Sequence, residues 1–329
     1  MSTQEPPFRE LQITQRRLLA QHVVGFVLRD PAGRPLAPFS AGAHITVVTP
    51  SGTRRNYSLC GEPPNSQVHA TTAPLAYCIA VKRDALGRGG SVSMADELAL
   101  GSRLLTSEPR NNFPLDMTAR QFLFIAGGIG ITPILSMMRQ LKQTPGCEFR
   151  LVYCTRNAEQ TPFLNELASE FPNQHVIHHD QGDAAKACDF WPDLETPSQA
   201  HVYCCGPAGL MQSVQDMSGH WPSHQVHFES FGTTAANLPP SQAFEVRLQS
   251  QGLAQLIQVS ANETLLQALR RCGHNVPSSC ESGTCGTCRI QLLQGEADHR
   301  DMVLLQEERQ TCIMPCVSRS HSAELVVAL

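Results

Sequence analysis

The hydrophobic pattern of the chain changes character twice. In the first third, short apolar runs are cut off by Pro/Gly turns. Val23, Val24, Phe26, Val27 and Leu28 run up to Asp30-Pro31-Ala32-Gly33, His44 to Thr49 runs up to Pro50-Ser51-Gly52, and Tyr77 to Val81 forms another run. Such runs predict strands, and several in succession predict a small antiparallel Greek-key barrel. From Gln121 onward, short buried strands, the first of them a continuous apolar run, alternate with helix-compatible stretches. Phe122 to Ala126, Phe149 to Cys154, His175 to His178 and His201 to Cys204 are the strands, and Pro133 to Lys142 is the first helix. A strand with no polar face is covered on both sides, so this region predicts a doubly wound α/β parallel sheet. Thr233 to Gln242 is a polar, proline-bearing linker. Beyond it, strands are expected at Phe244 to Leu248, Leu256 to Val259 and Glu324 to Val327, with a helix from Glu263 to Arg271. The expected domains are 1–114, 115–232 and 243–329, with 233–242 as linker.

The third region carries the most specific chemistry. Cys280, Cys285 and Cys288 stand in the spacing C-x4-C-x2-C, and Cys316 follows in Ile-Met-Pro-Cys. This is the plant-type arrangement for a [2Fe–2S] cluster. Gly283 and Gly286 let the loop wrap closely enough for its amides to face the sulfurs. A structural zinc is the alternative, but zinc sites favour two short cysteine pairs, and here the fourth cysteine stands alone. Cys312 is a rival for the fourth ligand; the proline before Cys316 and the strand after it favour Cys316. The nine other cysteines read as small buried apolar residues.

Two elements of the barrel suit a phosphate. Arg55-Asn56-Tyr57-Ser58-Leu59 offers a cation, a ring and a hydroxyl at alternating strand positions. A flavin would use Arg55 at its phosphate, Tyr57 along its ribityl chain or ring and Ser58 at its N5 edge. Gly87-Arg88-Gly89-Gly90-Ser91 ends at a serine placed to cap a helix from Val92 to Leu98, which presents amides and a positive dipole end to an anion. In the α/β region, Ala126-Gly127-Gly128-Ile129-Gly130-Ile131-Thr132-Pro133 joins a buried strand to a helix, and Cys205-Gly206-Pro207 follows a later strand. Open α/β sheets bind ligands at such strand ends.

Composition narrows the class of function. Twenty-five Lys+Arg against 29 Asp+Glu gives a net charge of -4, which argues against a nucleic-acid partner. No apolar run reaches the ~18 residues of a membrane span. Met1 to Glu10 is polar and lacks an apolar leader, so a cytoplasmic protein is expected. Thirteen cysteines without framework spacing fit reduced thiols plus a metal site. A monomer is the default expectation.

Taken in order, R-N-Y-S-L, G-R-G-G-S, A-G-G-I-G-I-T-P, C-C-G-P, H-F-E-S-F-G and C-x4-C-x2-C…C resemble the phthalate dioxygenase reductase family over essentially the whole chain. That family is a branch of the ferredoxin–NADP reductase superfamily with a ferredoxin fused at the C-terminus. The segment Gly295 to Leu304 (GEADHRDMVL) is specific to the branch. The resemblance implies an FMN-binding barrel, an NADH-binding α/β domain and a β-grasp [2Fe–2S] domain. It assigns Arg55, Asn56, Tyr57, Ser58, Ala80, Val81, Lys82, Gly89, Gly90 and Ser91 to FMN, and Gly128, Thr132 and Cys205 to the nicotinamide. Phe231 occupies the place where relatives end in an aromatic residue stacked on the flavin. Asn56 departs from the threonine expected there.

Ser58, Thr132, Cys205 and Phe231 are thereby put at the reacting rings, and Cys280, Cys285, Cys288 and Cys316 at the iron. The implied activity takes hydride from NADH to FMN and passes single electrons through the cluster to the Rieske centre of a separate aromatic-ring-hydroxylating oxygenase. No general acid or base is required. The alternatives are a reductase for another Rieske oxygenase or O-demethylase, a self-contained reductase for small acceptors, and a non-catalytic redox sensor.

FMN is expected over FAD because the barrel offers no adenine platform. NADH is expected over NADPH because Asp180, after the strand at His175 to His178, would accept a ribose hydroxyl and repel a 2′-phosphate, although Arg156 stands close in sequence to the neighbouring strand end. The other reading of Asp180 is a cap on a surface turn.

Overall fold

The computed structural model describes residues 8–62, 73–87, 89–231, 241–250, 253–278, 283, 286–301, 303–304 and 307–329. Six strands of the first third form one antiparallel sheet: β1 (Arg9–Ala20), β2 (Val23–Arg29), β3 (His44–Val48), β4 (Arg54–Ser58), β5 (Tyr77–Lys82) and β6 (Arg103–Thr106). Their order is β4-β3-β6-β1-β2-β5. The two outer strands meet where β4 runs out. Leu59 bridges Ile79, and the Cys60 amide donates to the Cys78 carbonyl at 2.9 Å. This closes the sheet into a barrel and satisfies backbone groups that an open edge would expose. Leu28, Ile45, Val47 and Ile79 fill the interior, and Met94 and Ala95 of helix α1 (Gly90–Glu97) complete that core.

The second region alternates β7 (Gln121–Gly127), α2 (Ile131–Lys142), β8 (Glu148–Thr155), α3 (Leu164–Glu170), β9 (His175–His179), α4 (Trp191–Leu194), β10 (Ala200–Cys205), α5 (Ala208–Met217) and β11 (Val226–Glu229). The five strands are parallel in the order β11-β10-β7-β8-β9. β7 lies in the middle. The chain builds outward from it through β8 and β9, then crosses back to β10 and β11 on the other side. The switch point therefore falls between the C-terminal ends of β7 and β10.

The third region forms a mixed sheet in the order β13-β12-β18-β14-β16. Its strands are β12 (Phe244–Ser250), β13 (Leu253–Val259), β14 (Ile290–Gln294), β16 (Cys312–Ile313) and β18 (Glu324–Ala328), with a separate ribbon of β15 (Ala297–Asp298) and β17 (Arg319–Ser320). Helix α6 (Leu265–Arg271) buries Leu265, Leu266, Ala268 and Leu269 in the same core as the sheet. It starts at Leu265 and not at Glu263 because Thr264 caps it: Thr264 Oγ1 accepts from the Gln267 amide at 3.1 Å, and Gln267 Oε1 accepts from the Thr264 amide at 2.9 Å. Among the described residues no helix is long and apolar enough to cross a membrane.

The chain divides after Glu229 into two compact units, so barrel and parallel sheet belong to one of them. These two share a core in which Val23, Ala41, Cys60 and Ala80 of the barrel meet Ile134, Met137 and Met138 of α2. Gly42 makes the tightest approach at this seam. Its φ is +88°, and a Cβ there would lie 1.9 Å from the Phe113 carbonyl oxygen and 2.9 Å from Met137 Cε. Gly42→Ala is expected to destabilise this unit by about 2 kcal/mol or more, since both the backbone angle and the space exclude a methyl group. An unchanged midpoint in denaturant unfolding would show that the connector at Phe113 yields freely.

Candidate functional site

The hairpin β3–β4 turns through Gly52, whose φ of +77° lets its amide donate to the Thr49 carbonyl at 2.8 Å. β4 then carries Arg55 and Tyr57 on one face, opposite Val47 and Ile45. Ser58 falls on the other face, because strand side chains alternate; the three do not form the single row expected from the sequence. Ser58 ends the strand buried. Burial pushes the Tyr57 phenol up to about 12 against the pull of the Arg55 guanidinium, so it remains a protonated donor. Asn56 points outward and accepts from Thr46 Oγ1 at 2.8 Å.

The glycine-rich turn comes directly against this strand. A Cβ on Gly90 would stand 2.8 Å from Thr53 Oγ1 and 3.1 Å from Arg55 Nε. The cap of α1 is Gly89, in the left-handed region at φ +81°, and not Ser91. Ser91 is the second residue of the helix, and its hydroxyl instead accepts from the Asp84 amide at 3.1 Å. No acidic residue occupies the first turn of α1. A helix N-terminus, an arginine and a threonine hydroxyl thus lie side by side, a donor set that fits a phosphate. Ala80 and Val81 turn their side chains into the two cores, and only Lys82 of that trio is exposed.

At the switch point of the parallel sheet, three glycines bring two loops together. A Cβ on Gly127 would be 2.5 Å from Pro207 Cδ, one on Gly206 would be 3.0 Å from Gly127 Cα, and one on Gly130 would be 2.2 Å from the Cys205 carbonyl oxygen. Gly128, at φ +52°, faces open space within 4 Å of its missing Cβ. Tyr153 Oη donates to the Gly128 carbonyl at 2.8 Å and fixes the turn from beneath. The sequence reading missed this residue, since an apolar-strand tyrosine carries no motif. Thr132 (2% exposed) donates to the Ile129 carbonyl at 3.0 Å, and Cys205 is 0% exposed. Burial drives the Cys205 thiol well above its usual range, with Glu229 and Cys204 adding to the shift. Both side chains are packed inward, so in this conformation the two residues offer a ligand backbone more than side chain.

Asp180 follows β9, and Arg156 follows β8. Asp180 Oδ1 accepts from the Gly182 amide at 2.7 Å, so it does cap a surface turn. A Cβ on Gly182 would lie 3.8 Å from Arg156 Nε, which puts cation and carboxylate at neighbouring strand ends.

In the C-terminal unit, Cys280 and Cys285 lie outside the described residues. Cys288 and Cys316 are 2% and 3% exposed and belong to the sheet–helix core. Gly283 and Gly286 have φ of +77° and +75°, and a Cβ on Gly283 would meet Val317 Cγ2 at 2.7 Å and Asp301 Cα at 3.1 Å. The Asp301 carboxylate accepts from the amides of Val303 and Leu304 at 3.2 and 2.9 Å, holding the wall on which Gly283 rests. Soft thiolates on glycine-bent backbone fit an iron–sulfur cluster. Cys312 is half-buried and accepts from Arg289 Nε at 3.3 Å.

Comparison with known proteins accounts for this set of features. The 2Fe-2S iron-sulfur cluster binding domain matches residues 248–320, and the oxidoreductase NAD-binding domain matches residues 124–216. The chain is 51% identical over 328 residues to phthalate dioxygenase reductase of Burkholderia cepacia, covering 99% of both chains. It is 49% identical over 324 residues to the phthalate 4,5-dioxygenase oxygenase reductase subunit of Pseudomonas putida, covering 98% of this chain and 97% of the other. A solved phthalate dioxygenase reductase structure superposes with a TM-score of 0.77 at 50% identity over 98% of each chain. The chain belongs to the phthalate dioxygenase reductase family.

Within that family frame, the cysteines outside the cluster set need one correction: only Cys60, Cys154, Cys204 and Cys205 are fully buried, and the other five are half-buried. Phe231 is 47% exposed and belongs to the C-terminal unit. The linker call on residues 233–242 falls largely on residues outside those described. Gly90→Ala is expected to raise the Kd for FMN about tenfold or more, because its methyl group would displace Arg55 or the helix start. Equilibrium binding to flavin-stripped protein checks this, and an unchanged Kd would remove the α1 terminus from the phosphate site. Cys316→Ser is expected to abolish the visible spectrum of the cluster, while Cys312→Ser leaves it intact; the reverse result would exchange the two assignments.

Proposed function

We propose that this chain is the reductase of a two-component aromatic-ring-hydroxylating oxygenase of the phthalate type, carrying electrons from NADH through FMN and a [2Fe–2S] cluster to the Rieske centre of its partner. The observation that carries this reading is the packing of Arg55 and Thr53 directly against the Gly89–Gly90 helix start, in a chain that also holds the switch-point glycines and the buried Cys288 and Cys316. When bound, the cofactors supply hydride acceptance and one-electron transfer.

The residues of the chain have positioning tasks. Arg55 and the α1 amides hold the flavin phosphate, and Tyr57 packs along the flavin as a neutral phenol. Ser58, at the buried end of β4, would offer its hydroxyl to the flavin ring. Gly127, Gly130 and Gly206 admit the dinucleotide backbone close to the strand ends, and Gly128, steadied by Tyr153, faces it. Thr132 and Cys205 complete the nicotinamide side. Cys280, Cys285, Cys288 and Cys316 hold the iron. The modules 1–114, 115–232 and 243–329 are the corresponding functional divisions, in a cytoplasmic monomer.

Asp180 is the proposed nucleotide selector. One carboxylate oxygen caps its own turn, and the other remains to accept a ribose hydroxyl. A 2′-phosphate would meet Arg156 on one side and this carboxylate on the other. The contrast at a partly solvated site is on the order of 1–3 kcal/mol, or roughly 5- to 150-fold in favour of NADH. Steady-state kcat/KM for the two nucleotides checks this, and equal values would refute the preference. Asp180→Ala is expected to narrow the ratio; an unchanged ratio would leave Asp180 with the turn-capping role alone.

A further inference from the structure

The seam between barrel and parallel sheet contains a half-buried ion pair whose geometry goes beyond stabilisation. Arg139 lies in the last turn of α2, the helix whose first turn carries Thr132. Its Nε donates to Glu170 Oε2 at 2.9 Å and its Nη2 to Glu170 Oε1 at 2.5 Å, a bidentate pair with the end of α3. The remaining edge of the guanidinium reaches out of the parallel-sheet region: Nη1 donates to the Cys60 carbonyl at 2.6 Å. Lys142 Nζ donates to the Glu170 carbonyl at 2.9 Å and steadies the acceptor.

Cys60 is a poor place for slack. Its amide and its thiol both donate to the Cys78 carbonyl, at 2.9 and 3.3 Å, and the preceding Leu59 amide donates to the Ala43 carbonyl at 2.8 Å. Ser58 stands two residues upstream on this taut segment. Arg139 therefore joins two backbones: the one that ends at Ser58 and the rigid helix that begins after Gly128. Only a guanidinium can do both at once, because it offers a planar fork to a carboxylate and a further N–H to a carbonyl. A lysine ammonium keeps the charge but cannot reproduce the fork. A second contact from the same turn of the helix, the Ala41 amide donating to Gln140 Oε1 at 3.2 Å, also ties the helix to the barrel.

We propose that Arg139 is a positioning residue for hydride transfer, clamping the Ser58–Cys60 segment to α2 so that the flavin edge and the nicotinamide site are held at reacting distance. The proposal rests on the functional reading above. It touches neither substrate nor cofactor directly, so its effect is on geometry, where a displacement of about 1 Å can cost about 100-fold in rate.

The test uses the full-length holoprotein with FMN and cluster in place. Arg139→Met, Arg139→Lys and Glu170→Gln are compared with wild type by anaerobic stopped-flow reduction with NADH, which yields the limiting reduction rate and the NADH Kd separately. Amide exchange of residues 58–61 is measured in parallel, as a readout independent of turnover. The expected result is a reduction rate lower by about 10- to 100-fold in both Arg139 variants, with NADH Kd changed less than about threefold and faster exchange at 58–61. Glu170→Gln, which keeps the bond to Cys60, should lose less than Arg139→Met. Unchanged rate and exchange in folded, flavin-replete Arg139→Met would overturn the proposal. If that variant fails to fold or to retain flavin, Arg139→Lys and Glu170→Gln decide: wild-type rates in both overturn it, and a slowed rate with intact NADH Kd in Arg139→Lys supports it. A wild-type protein that NADH does not reduce would instead refute the functional reading itself.

Discussion

Backbone meets backbone at three points in the N-terminal unit, and at each the absence of a Cβ is the physical condition. The Gly130–Cys205 approach leaves 2.2 Å where a Cβ would stand, the Gly42–Phe113 approach 1.9 Å, and the Gly206–Gly127 approach 3.0 Å. A methyl group at Gly130 or Gly42 would force the facing carbonyl away by more than an ångström, and one at Gly206 would push against Gly127 by a few tenths. These contacts decide where the glycine-rich turns point, and the turns in turn decide where an anion or a dinucleotide backbone can lie. The tight spots and the ligand sites coincide because the same close approach that excludes side chains brings amides to the surface.

Polar groups buried at the seam follow from that closeness. Once the barrel and the parallel sheet share a core, carbonyls at their ends lose access to water and need donors. Arg139 answers the Cys60 carbonyl, and Tyr203 Oη donates to the Pro114 carbonyl at 3.2 Å while accepting from the Asp116 amide at 2.8 Å. Glu170 keeps the arginine from being an uncompensated buried cation, and its carboxyl is held below the ordinary range mainly by that hydrogen bond. Satisfying the seam thus selects specific side chains at positions that make no contact with any cofactor.

Local signals made part of this legible in the sequence. Apolar runs such as Phe122 to Ala126 mark strands covered on both faces, and the cysteine spacing marks its site because the ligands are close in sequence. β1 was not legible: of its twelve residues only Leu11 and Ile13 are fully buried, and Arg16 and Arg17 lie exposed. Its pairing with β2 and β6, and not a buried face, holds it in place. The cap of α1 was misread because a serine next to two glycines looks like a capping residue, while the left-handed Gly89 starts the helix two residues earlier. Arg139 and Tyr153 were invisible for a different reason. Their partners lie 79, 31 and 25 residues away, and an arginine on a helix or a tyrosine in a strand has many ordinary explanations.

The division of tasks along the chain also explains which part of its biology its sequence can encode. The donor nucleotide must fit against this protein, so residues of its NAD-binding domain carry information about it. The aromatic compound that the partner oxygenase attacks would meet no residue of this chain. Selection can shape the reductase only through the donor site, the electron path and the surface offered to the oxygenase. The features that identify the family are silent about the substrate because the chemistry they perform ends one electron transfer before it.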